Sequence, residues 1–227
     1  FCKNNNYTID IEESDYGFPF ASKKIDREGL LEFYKHLKLP YEVRDYQHDA
    51  IATALDRQRG VFVSPTGSGK SLIIYGLTRH ILGTDKGKIL IVVPTTSLVE
   101  QLHKDFIDYG WDGEKVHKIY SGKDKTTNKR VIISTWQSIY KFPKAWFEQF
   151  IGVIGDECHG FKSKSLSSIM NKSTEAKYRF GTTGTLDGTL THKLVLEGLF
   201  GPVYQVTKTK KLQDDGTLAP LEITVLN

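Results

Sequence analysis

Short apolar runs alternate along most of the chain with stretches in which apolar residues recur every three or four positions. The run Ile89–Val93 is apolar throughout, as expected of a parallel strand that is buried on both faces. Leu98, Leu102 and Phe106 have the spacing of one face of a helix. The alternation predicts an α/β domain, in which helices cover both faces of a doubly wound, mostly parallel sheet.

The same pattern predicts the bounds of the individual elements. The predicted strands are 61–63, 89–93, 116–120, 131–134, 151–154 and 178–182. The predicted helices are 26–37, 45–58, 71–82, a helix through 98–106, 165–170 and 192–199. Residues 1–24 mix polar and aromatic residues without a period, and we expect them to be a linker or the end of another domain.

The composition narrows the class of protein. Of the 227 residues, 39% are hydrophobic and 26% are charged, which excludes a disordered, collagen-like or coiled-coil chain. The chain shows no apolar run that would span a bilayer, no signal peptide and no initial Met, so we expect a fragment of a longer protein that binds no membrane. Two cysteines, Cys2 and Cys158, indicate neither a disulfide framework nor a metal site. A reducing, cytoplasmic location is the expectation.

The formal net charge of +4 is unevenly distributed. Lysines and arginines crowd the stretches 115–130 and 162–179. A basic face favours a polyanion such as nucleic acid, although lysines that are merely solvated around a sheet give the same count.

A glycine-rich segment, Ser-Pro-Thr-Gly-Ser-Gly-Lys-Ser at 64–71, lies between a predicted strand and a predicted helix. Backbone N–H groups in such a turn, and the start of the next helix, bind phosphate oxygens. The first residue is a serine where the usual phosphate-loop motif has glycine, so the match is one position short. An ordinary Gly/Ser turn is the alternative. The residues predicted to surround the phosphates are Pro65, Thr66, Gly67, Ser68, Gly69, Lys70 and Ser71.

The predicted strand 151–154 leads into Asp156-Glu157-Cys158-His159. A carboxylate at this end of a strand, beside a phosphate loop, is placed to hold Mg²⁺, and its neighbour to take a proton from the attacking water. His159 taken alone is equally typical of a core or capping histidine. Cys158 is interpreted as a small packed residue, because no activating partner is evident.

Further segments occur in the order typical of one family. These are Val-Arg-Asp-Tyr-Gln at 43–47, Val-Pro-Thr-Thr-Ser-Leu at 93–98, Tyr-Ser-Gly at 120–122, Ser-Thr-Trp-Gln-Ser at 134–138 and Gly-Thr-Thr-Gly-Thr-Leu at 181–186. With the phosphate loop and Asp-Glu-Cys-His, this set resembles the superfamily 2 helicases and translocases. The amino-acid sequence at 88–96, 135–137 and 156–159 is similar to that of the UvsW-like helicases of T-even phages. The resemblance covers about residues 30–227.

The resemblance implies a RecA-like lobe that binds ATP and Mg²⁺. Gln47 would hydrogen-bond the adenine with Arg44 against it, whereas an interior amide satisfied by its neighbours is the alternative for Gln47. Lys70 would hold the phosphates, and Ser71 and Asp156 the metal ion. The catalytic base implied by the resemblance is Glu157.

The resemblance also implies a DNA partner, single-stranded or branched, bound without regard to sequence. His159 would link the ATP site to Thr183 and Thr185. The residues expected to face the nucleic-acid backbone are Thr95, Thr96, Thr135, Trp136 and Gln137. Trp136 is equally compatible with a core aromatic.

Superfamily 2 enzymes close ATP between two RecA-like lobes, and no segment of the chain resembles the second lobe or its arginine finger. We therefore expect a monomeric first lobe at 25–206 and the start of a crossover toward the missing lobe at 207–227. Three hypotheses remain open: a helicase or translocase acting on branched DNA in recombination and repair, the motor lobe of a restriction-type translocase, and a non-catalytic nucleic-acid-binding lobe. The intact Lys70, Ser71, Asp156 and Glu157 argue against the last.

Overall fold

The computed structural model describes residues 24–120, 126–160, 163–186 and 190–219. A seven-stranded sheet has the order β3-β4-β2-β5-β6-β1-β7, and every pairing is parallel. The strands are β1 (Arg59–Val63), β2 (Lys88–Val93), β3 (Val116–Ile119), β4 (Val131–Thr135), β5 (Phe150–Asp156), β6 (Tyr178–Thr183) and β7 (Val203–Gln205). The helices are α1 (Arg27–Leu37), α2 (Asp45–Arg57), α3 (Lys70–Thr84), α4 (Thr96–Asp108), α5 (Trp136–Ile139), α6 (Lys144–Phe147), α7 (Ser163–Lys172), α8 (Leu190–Phe200) and α9 (Thr209–Asp214).

Alternate residues of each central strand enter two separate cores, one on each face of the sheet. In β2, Ile89 and Ile91 pack with α1 to α4, whereas Leu90 and Val92 pack with α5 to α8. The unbroken apolar run of this strand is therefore required, because neither face meets water. The predicted doubly wound α/β class is confirmed.

All six predicted strands are present, and their bounds differ from the prediction by at most two residues, whereas β7 was not predicted as a strand. Asp26 caps α1 as expected, since its side chain accepts a hydrogen bond from the Glu28 N–H at 3.1 Å. Three short helices, α5, α6 and α9, were not predicted, because four to six residues are too few to show a 3.6-residue period. The described residues do not include 1–23, 121–125, 161–162, 187–189 and 220–227. Parts of the predicted linker, of the Tyr-Ser-Gly segment, of both basic stretches and of the crossover therefore lie outside them.

The parallel register brings the ends of the strands to one edge of the sheet. Val63 is paired with Thr183, Asp156 with Thr182, and Val93 with Thr135. Loops that follow these strands share the edge where open α/β sheets bind ligands. In the part of the chain that the structure describes, no helix is long and apolar enough to cross a bilayer.

Lys172 fastens the turn that follows α5 to helix α7. Its ammonium group donates to the carbonyl oxygens of Tyr140 at 2.8 Å and Phe142 at 2.9 Å. We expect Lys172→Met to destabilise the fold by about 1–3 kcal/mol, because charged hydrogen bonds are lost and two carbonyls are left without this donor. Urea unfolding measures the change. Lys164→Met removes an exposed lysine of the same helix and serves as the control; equal stability of the two variants would contradict the assignment.

Candidate nucleotide site and the adjoining strand ends

The segment 64–71 forms a compact turn between β1 and α3. Gly67 and Gly69 have φ values of +80° and +78°, which glycine adopts without strain. The buried Ser68 hydroxyl donates to the Pro65 carbonyl at 2.5 Å and therefore accepts from the Ser64 hydroxyl at 2.6 Å. The serine that departs from the usual motif thus closes the turn by a side-chain hydrogen bond.

Gln47 braces this turn from helix α2. Its amide oxygen accepts from the Arg44 N–H at 3.0 Å, as a helix-capping glutamine does. Its amide nitrogen donates to the Ser68 carbonyl at 2.9 Å. The Tyr46 hydroxyl donates to the same carbonyl at 3.1 Å and accepts from the Arg44 guanidinium at 2.9 Å. Both ends of the Gln47 amide are thus hydrogen-bonded to protein neighbours, as the alternative to adenine binding predicted.

A Cβ atom at Gly69 would lie only 2.4 Å from the Gln47 amide nitrogen. A side chain at position 69 would displace the Gln47 amide from the Ser68 carbonyl, and it would also be strained at this backbone angle. The adenine-binding prediction for Gln47 and Arg44 therefore concerns residues that already hold the phosphate loop in shape.

Asp156 ends β5 at the middle of the sheet. One carboxylate oxygen accepts from the Thr182 hydroxyl at 2.7 Å and from the Glu157 N–H at 3.0 Å. Burial raises the pKa of Asp156 above its usual value, the Glu157 charge raises it further, and the Thr182 hydrogen bond opposes both effects. Sequence reasoning missed Thr182, whose partner lies 26 positions away.

Glu157 turns out of the strand in a left-handed conformation with φ of +49°. Such a backbone costs a residue with a side chain about 1–2 kcal/mol. It aims one carboxylate oxygen at the Lys70 ammonium, 3.2 Å away, and the other at the Gly184 N–H, also 3.2 Å away. The Lys70 and Glu157 side chains are only 13% and 26% exposed, so water screens the pair weakly.

His159 connects the acidic segment to the end of β6. Its Nδ1 lies 2.5 Å from the Thr183 hydroxyl oxygen, and the Thr183 hydroxyl donates to the Thr185 carbonyl at 2.7 Å. Because the hydroxyl proton is used in the second bond, Nδ1 carries the proton in the first. The structure thus brings together the three residues predicted to form a relay.

Ser71, predicted to hold a metal ion, has its hydroxyl 2.9 Å from the Tyr109 hydroxyl. Burial raises the pKa of Asp105 above its usual value, and the nearby Ser71 hydroxyl opposes this rise. Within the described ranges, no hydrogen bond joins Ser71 to Asp156. Tyr109 follows α4 and lies 38 positions from Ser71, so no local signal pointed to it.

The predicted nucleic-acid residues follow β2 and β4. Thr95 caps α4 by accepting from the Leu98 N–H at 3.3 Å, and the Thr135 hydroxyl pairs with Ser138 at 2.9 Å. The exposed Gln137 donates to the Pro94 carbonyl at 3.1 Å, which joins the two strand ends. Thr96 is exposed on the first turn of α4.

Trp136 is half-buried against the core on the α5–α8 face of the sheet, with its ring 5.9 Å from that of Tyr140. It therefore has the core contacts that the alternative reading predicted. Cys158 is fully buried, and burial raises the pKa of its thiol, as expected of a packed residue.

A cleft of about 730 Å³ opens where the phosphate loop meets the ends of β5 and β6. Its walls include Pro65, Thr66, Glu157, His159, Gly184 and Thr185. Along the edge of the sheet the groups stand in the order Gln137, Thr95, Asp156, Thr183 and Lys70, because their strands have the order β4, β2, β5, β6 and β1. The acidic segment therefore lies between the two predicted ligand surfaces.

A phosphate loop after β1 and an acidic pair after β5, on a parallel doubly wound sheet, define a RecA-like P-loop NTPase lobe. The family model described as "Type III restriction enzyme, res subunit" matches residues 40–188. A crystal structure of the UvsW helicase from bacteriophage T4 superposes with a TM-score of 0.80 at 33% identity, over 90% of this chain and 74% of that one. The chain belongs to this family of superfamily 2 helicases and, within it, to the UvsW type.

Two curated relatives are similar to the chain in sequence. The ATP-dependent DNA helicase uvsW of Enterobacteria phage T4 is 36% identical over 98% of the chain and 46% of that protein. The DNA 3'-5' translocase XPB2 of Sulfurisphaera tokodaii is 29% identical over 85% of the chain and 46% of that protein. The chain thus spans about half the length of these relatives. The Hef helicase domain of Pyrococcus furiosus, at 23% identity and a TM-score of 0.62, shares the fold.

Removal of the Gln47 amide tests its role as a brace. We expect Gln47→Ala to lower the free energy of unfolding by about 1–3 kcal/mol, because two hydrogen bonds are lost and one of them is buried. Amide hydrogen exchange in 64–70 should become faster at the same time. Gln101→Ala, at an exposed position of α4, is the matched control. Unchanged exchange in the loop would show that Gln47 does not support it.

Proposed function

We propose that the chain is the first motor lobe of an ATP-dependent DNA helicase or translocase that acts on branched DNA in recombination and repair. The observation that carries the proposal is the meeting of Lys70 and Glu157 at 3.2 Å beside a glycine turn of left-handed backbone. Residues 25–206 form the lobe in this proposal, and 207–227 lead toward a second RecA-like lobe. The partial coverage of the UvsW and XPB2 relatives supports a larger assembly.

The residues of the cleft suit a triphosphate and its metal ion. The turn 67–71 supplies backbone donors at the start of α3, and Lys70 supplies a cation. Within the described residues, no group of three or more His, Cys, Asp and Glu side chains could hold a metal ion by itself. Mg²⁺ is typically held by one or two protein ligands together with phosphate oxygens, so Asp156 and Ser71 would hold it. When bound, the ion neutralises charge on the phosphates.

The two charged groups of the pair then have separate tasks. Phosphate oxygens compete with Glu157 for the Lys70 ammonium, because they carry more charge. Once Lys70 turns to the phosphates, Glu157 is free to accept a proton from the attacking water. The Gly184 N–H, 3.2 Å from the second carboxylate oxygen, keeps the carboxylate oriented. Ser71 has to exchange its Tyr109 partner before it reaches the metal position.

The relay of His159, Thr183 and Thr185 links this cleft to neighbouring loops. Glu157 lies 3.4 Å from the same His159 nitrogen that donates to Thr183. A change in the position of Glu157 therefore changes the hydrogen bonding of the loop after β6. In the proposal, this contact relays the state of the nucleotide to the surface that binds DNA.

In the proposal, the edge that faces DNA carries the exposed Thr95, Thr96 and Gln137. Trp136, beside Gln137 in the chain, is half-buried, and Thr135 is only 5% exposed. Hydroxyl, amide and backbone donors contact phosphates without reading bases. Lys164 follows β5 at this edge and adds an attraction that salt weakens. Lys129 and Arg130 precede β4 and Lys177 precedes β6, at the opposite edge of the sheet.

A second candidate function is the motor lobe of a restriction-type translocase. The description of the matching family model, a restriction-enzyme subunit, favours it. Nucleic-acid stimulation with cleavage of the DNA would support this candidate, whereas movement or strand separation without cleavage supports the helicase.

Two substitutions separate nucleotide binding from hydrolysis. Lys70→Ala should weaken ATP binding, because a phosphate charge loses its partner. Glu157→Gln should leave binding nearly intact and reduce hydrolysis by about 10²-fold or more, because an amide cannot take the proton. Fluorescence titration and phosphate release measure the two effects. Normal hydrolysis by Glu157→Gln would place the base elsewhere and would support the view that this pair is structural.

The DNA surface is tested in the protein with its second lobe, by ATPase rates without DNA and with single-stranded, duplex or forked DNA. We expect stimulation, strongest with forked DNA and lost progressively as salt rises. Replacing Thr135 with Val and Gln137 with Ala should reduce stimulation and spare the unstimulated rate. If these side chains only satisfy the Ser138 and Pro94 neighbours, the double variant will unfold at lower temperature with full stimulation. An ATPase rate that none of these DNA substrates changes would contradict the motor hypothesis.

A further inference from the structure

The chain turns back onto the phosphate loop after its last strand. We call residues 209–219, which comprise α9 and the turn after it, the strap. Leu218 of the strap lies directly over Gly67: a Cβ atom built on Gly67 would be 2.5 Å from the Leu218 Cδ2. The contact joins the left-handed glycine of the loop to a side chain 151 positions later in the sequence (218 − 67).

Local hydrogen bonds set the path of the strap. Helix α9 ends in a Schellman motif: Thr217 N–H donates to the Leu212 carbonyl at 2.8 Å, and Gly216 N–H to the Gln213 carbonyl at 3.0 Å. Gly216 supplies the φ of +69° that this motif requires. Leu218 N–H also donates to the Leu212 carbonyl, at 2.9 Å, so the reversal of the chain directs Leu218 toward the loop.

The strap and the phosphate loop extend from neighbouring strands. β7 pairs with β1, and the Val206 N–H continues the pairing by donating to the Val63 carbonyl at 2.9 Å. Leu212 is fully buried, which anchors α9 to the lobe. The position of Leu218 relative to Gly67 is therefore held at both ends.

The strap also completes the cleft described above. Thr209, Gln213, Leu218 and Ala219 line the side that faces Glu157 and Thr66. The phosphate loop, the acidic segment and the end of β6 form the other walls.

We propose that the strap is the outer wall of the nucleotide site and that Leu218 is a positioning residue for the phosphate loop. Leu218 covers one face of the Gly67 turn with apolar surface, which restricts the freedom that glycine gives the backbone. Because the strap is the segment that leaves the lobe, occupancy of the loop and the path of the departing chain are coupled. The role of the strap in nucleotide binding rests on the proposed function, whereas the contact between Leu218 and Gly67 does not.

The first measurement is hydrogen exchange of the 65–70 amides in the full chain without nucleotide. Leu218→Ala should speed exchange about fivefold or more, a value at the low end of ordinary couplings between sites. Leu218→Met, which keeps the apolar contact, should restore nearly the original rate. Leu194→Ala removes a leucine that is 63% exposed on α8 and should change nothing.

The second measurement is the Kd for a non-hydrolysable ATP analogue with Mg²⁺. Leu218→Ala should raise it about fivefold, and the analogue should slow exchange at the Thr217 and Leu218 amides of the unsubstituted chain. Gly216→Ala strains the strap without touching the loop, since a Cβ there meets nothing within 4 Å. Its control is Gly83→Ala, where a Cβ also meets nothing within 4 Å and φ is not positive.

Circular dichroism melting shows whether each variant is folded. If Leu218→Ala does not fold, loop exchange and the Kd are measured on Gly216→Ala instead. A folded Leu218→Ala variant with unchanged loop exchange and unchanged Kd overturns the proposal. A lower Kd also overturns it, because the strap would then obstruct the site. Failure of the nucleotide function has a different signature: the unsubstituted chain and Lys70→Ala would bind the analogue equally poorly, while Leu218→Ala would still speed exchange in the loop.

Discussion

The parallel register of β1, β6 and β5 is the constraint on which the rest of the site depends. It ends the three strands at the same level, with Val63 beside Thr183 and Thr182 beside Asp156. Only from these ends do Lys70 and Glu157 reach each other at 3.2 Å. A shift of one residue in β6 would turn Thr182 to the opposite face and leave the Asp156 carboxylate, already costly to bury, without its hydroxyl donor.

A few residues of the site adopt conformations or environments that cost free energy, and the surrounding structure stabilises them. Glu157 has a left-handed backbone, and Asp156 is a buried carboxylate whose pKa is raised. Both are held by hydrogen bonds from the end of β6, through Thr182 and Gly184. Residues in such conformations persist when their neighbours over-determine them, and they are concentrated at functional sites.

Sequence reasoning succeeded where a physical pattern is local and failed where partners are distant. The strands were predicted because burial on both faces demands unbroken apolar runs, as at Ile89–Val93. Family resemblance predicted a link between His159 and Thr183, and the structure has a 2.5 Å contact between them, whereas the role of this contact as a relay stays a prediction. By contrast, the contacts of Ser71 with Tyr109 and of Leu218 with Gly67 join residues far apart in the sequence, so they produce no periodic pattern in it. The strap had one readable signal, Asp215-Gly216, which is typical of a helix C-terminus.

Nearly every polar side chain that is proposed to bind a ligand already forms a hydrogen bond or an ion pair within the protein. Lys70 is paired with Glu157, Ser71 with Tyr109, Thr135 with Ser138, and Gln137 with the Pro94 carbonyl. These bonds satisfy partly buried charges and hydroxyls with groups of the protein itself. Each ligand must then replace an internal bond, and its net affinity is the difference between the new contact and the old one. Such exchange makes the arrangement of the side chains depend on occupancy, because a ligand that displaces Glu157 from Lys70 also alters the surroundings of His159. In the proposed function, these internal pairs provide the physical means by which a nucleotide bound at one strand end would alter the hydrogen bonds at the next.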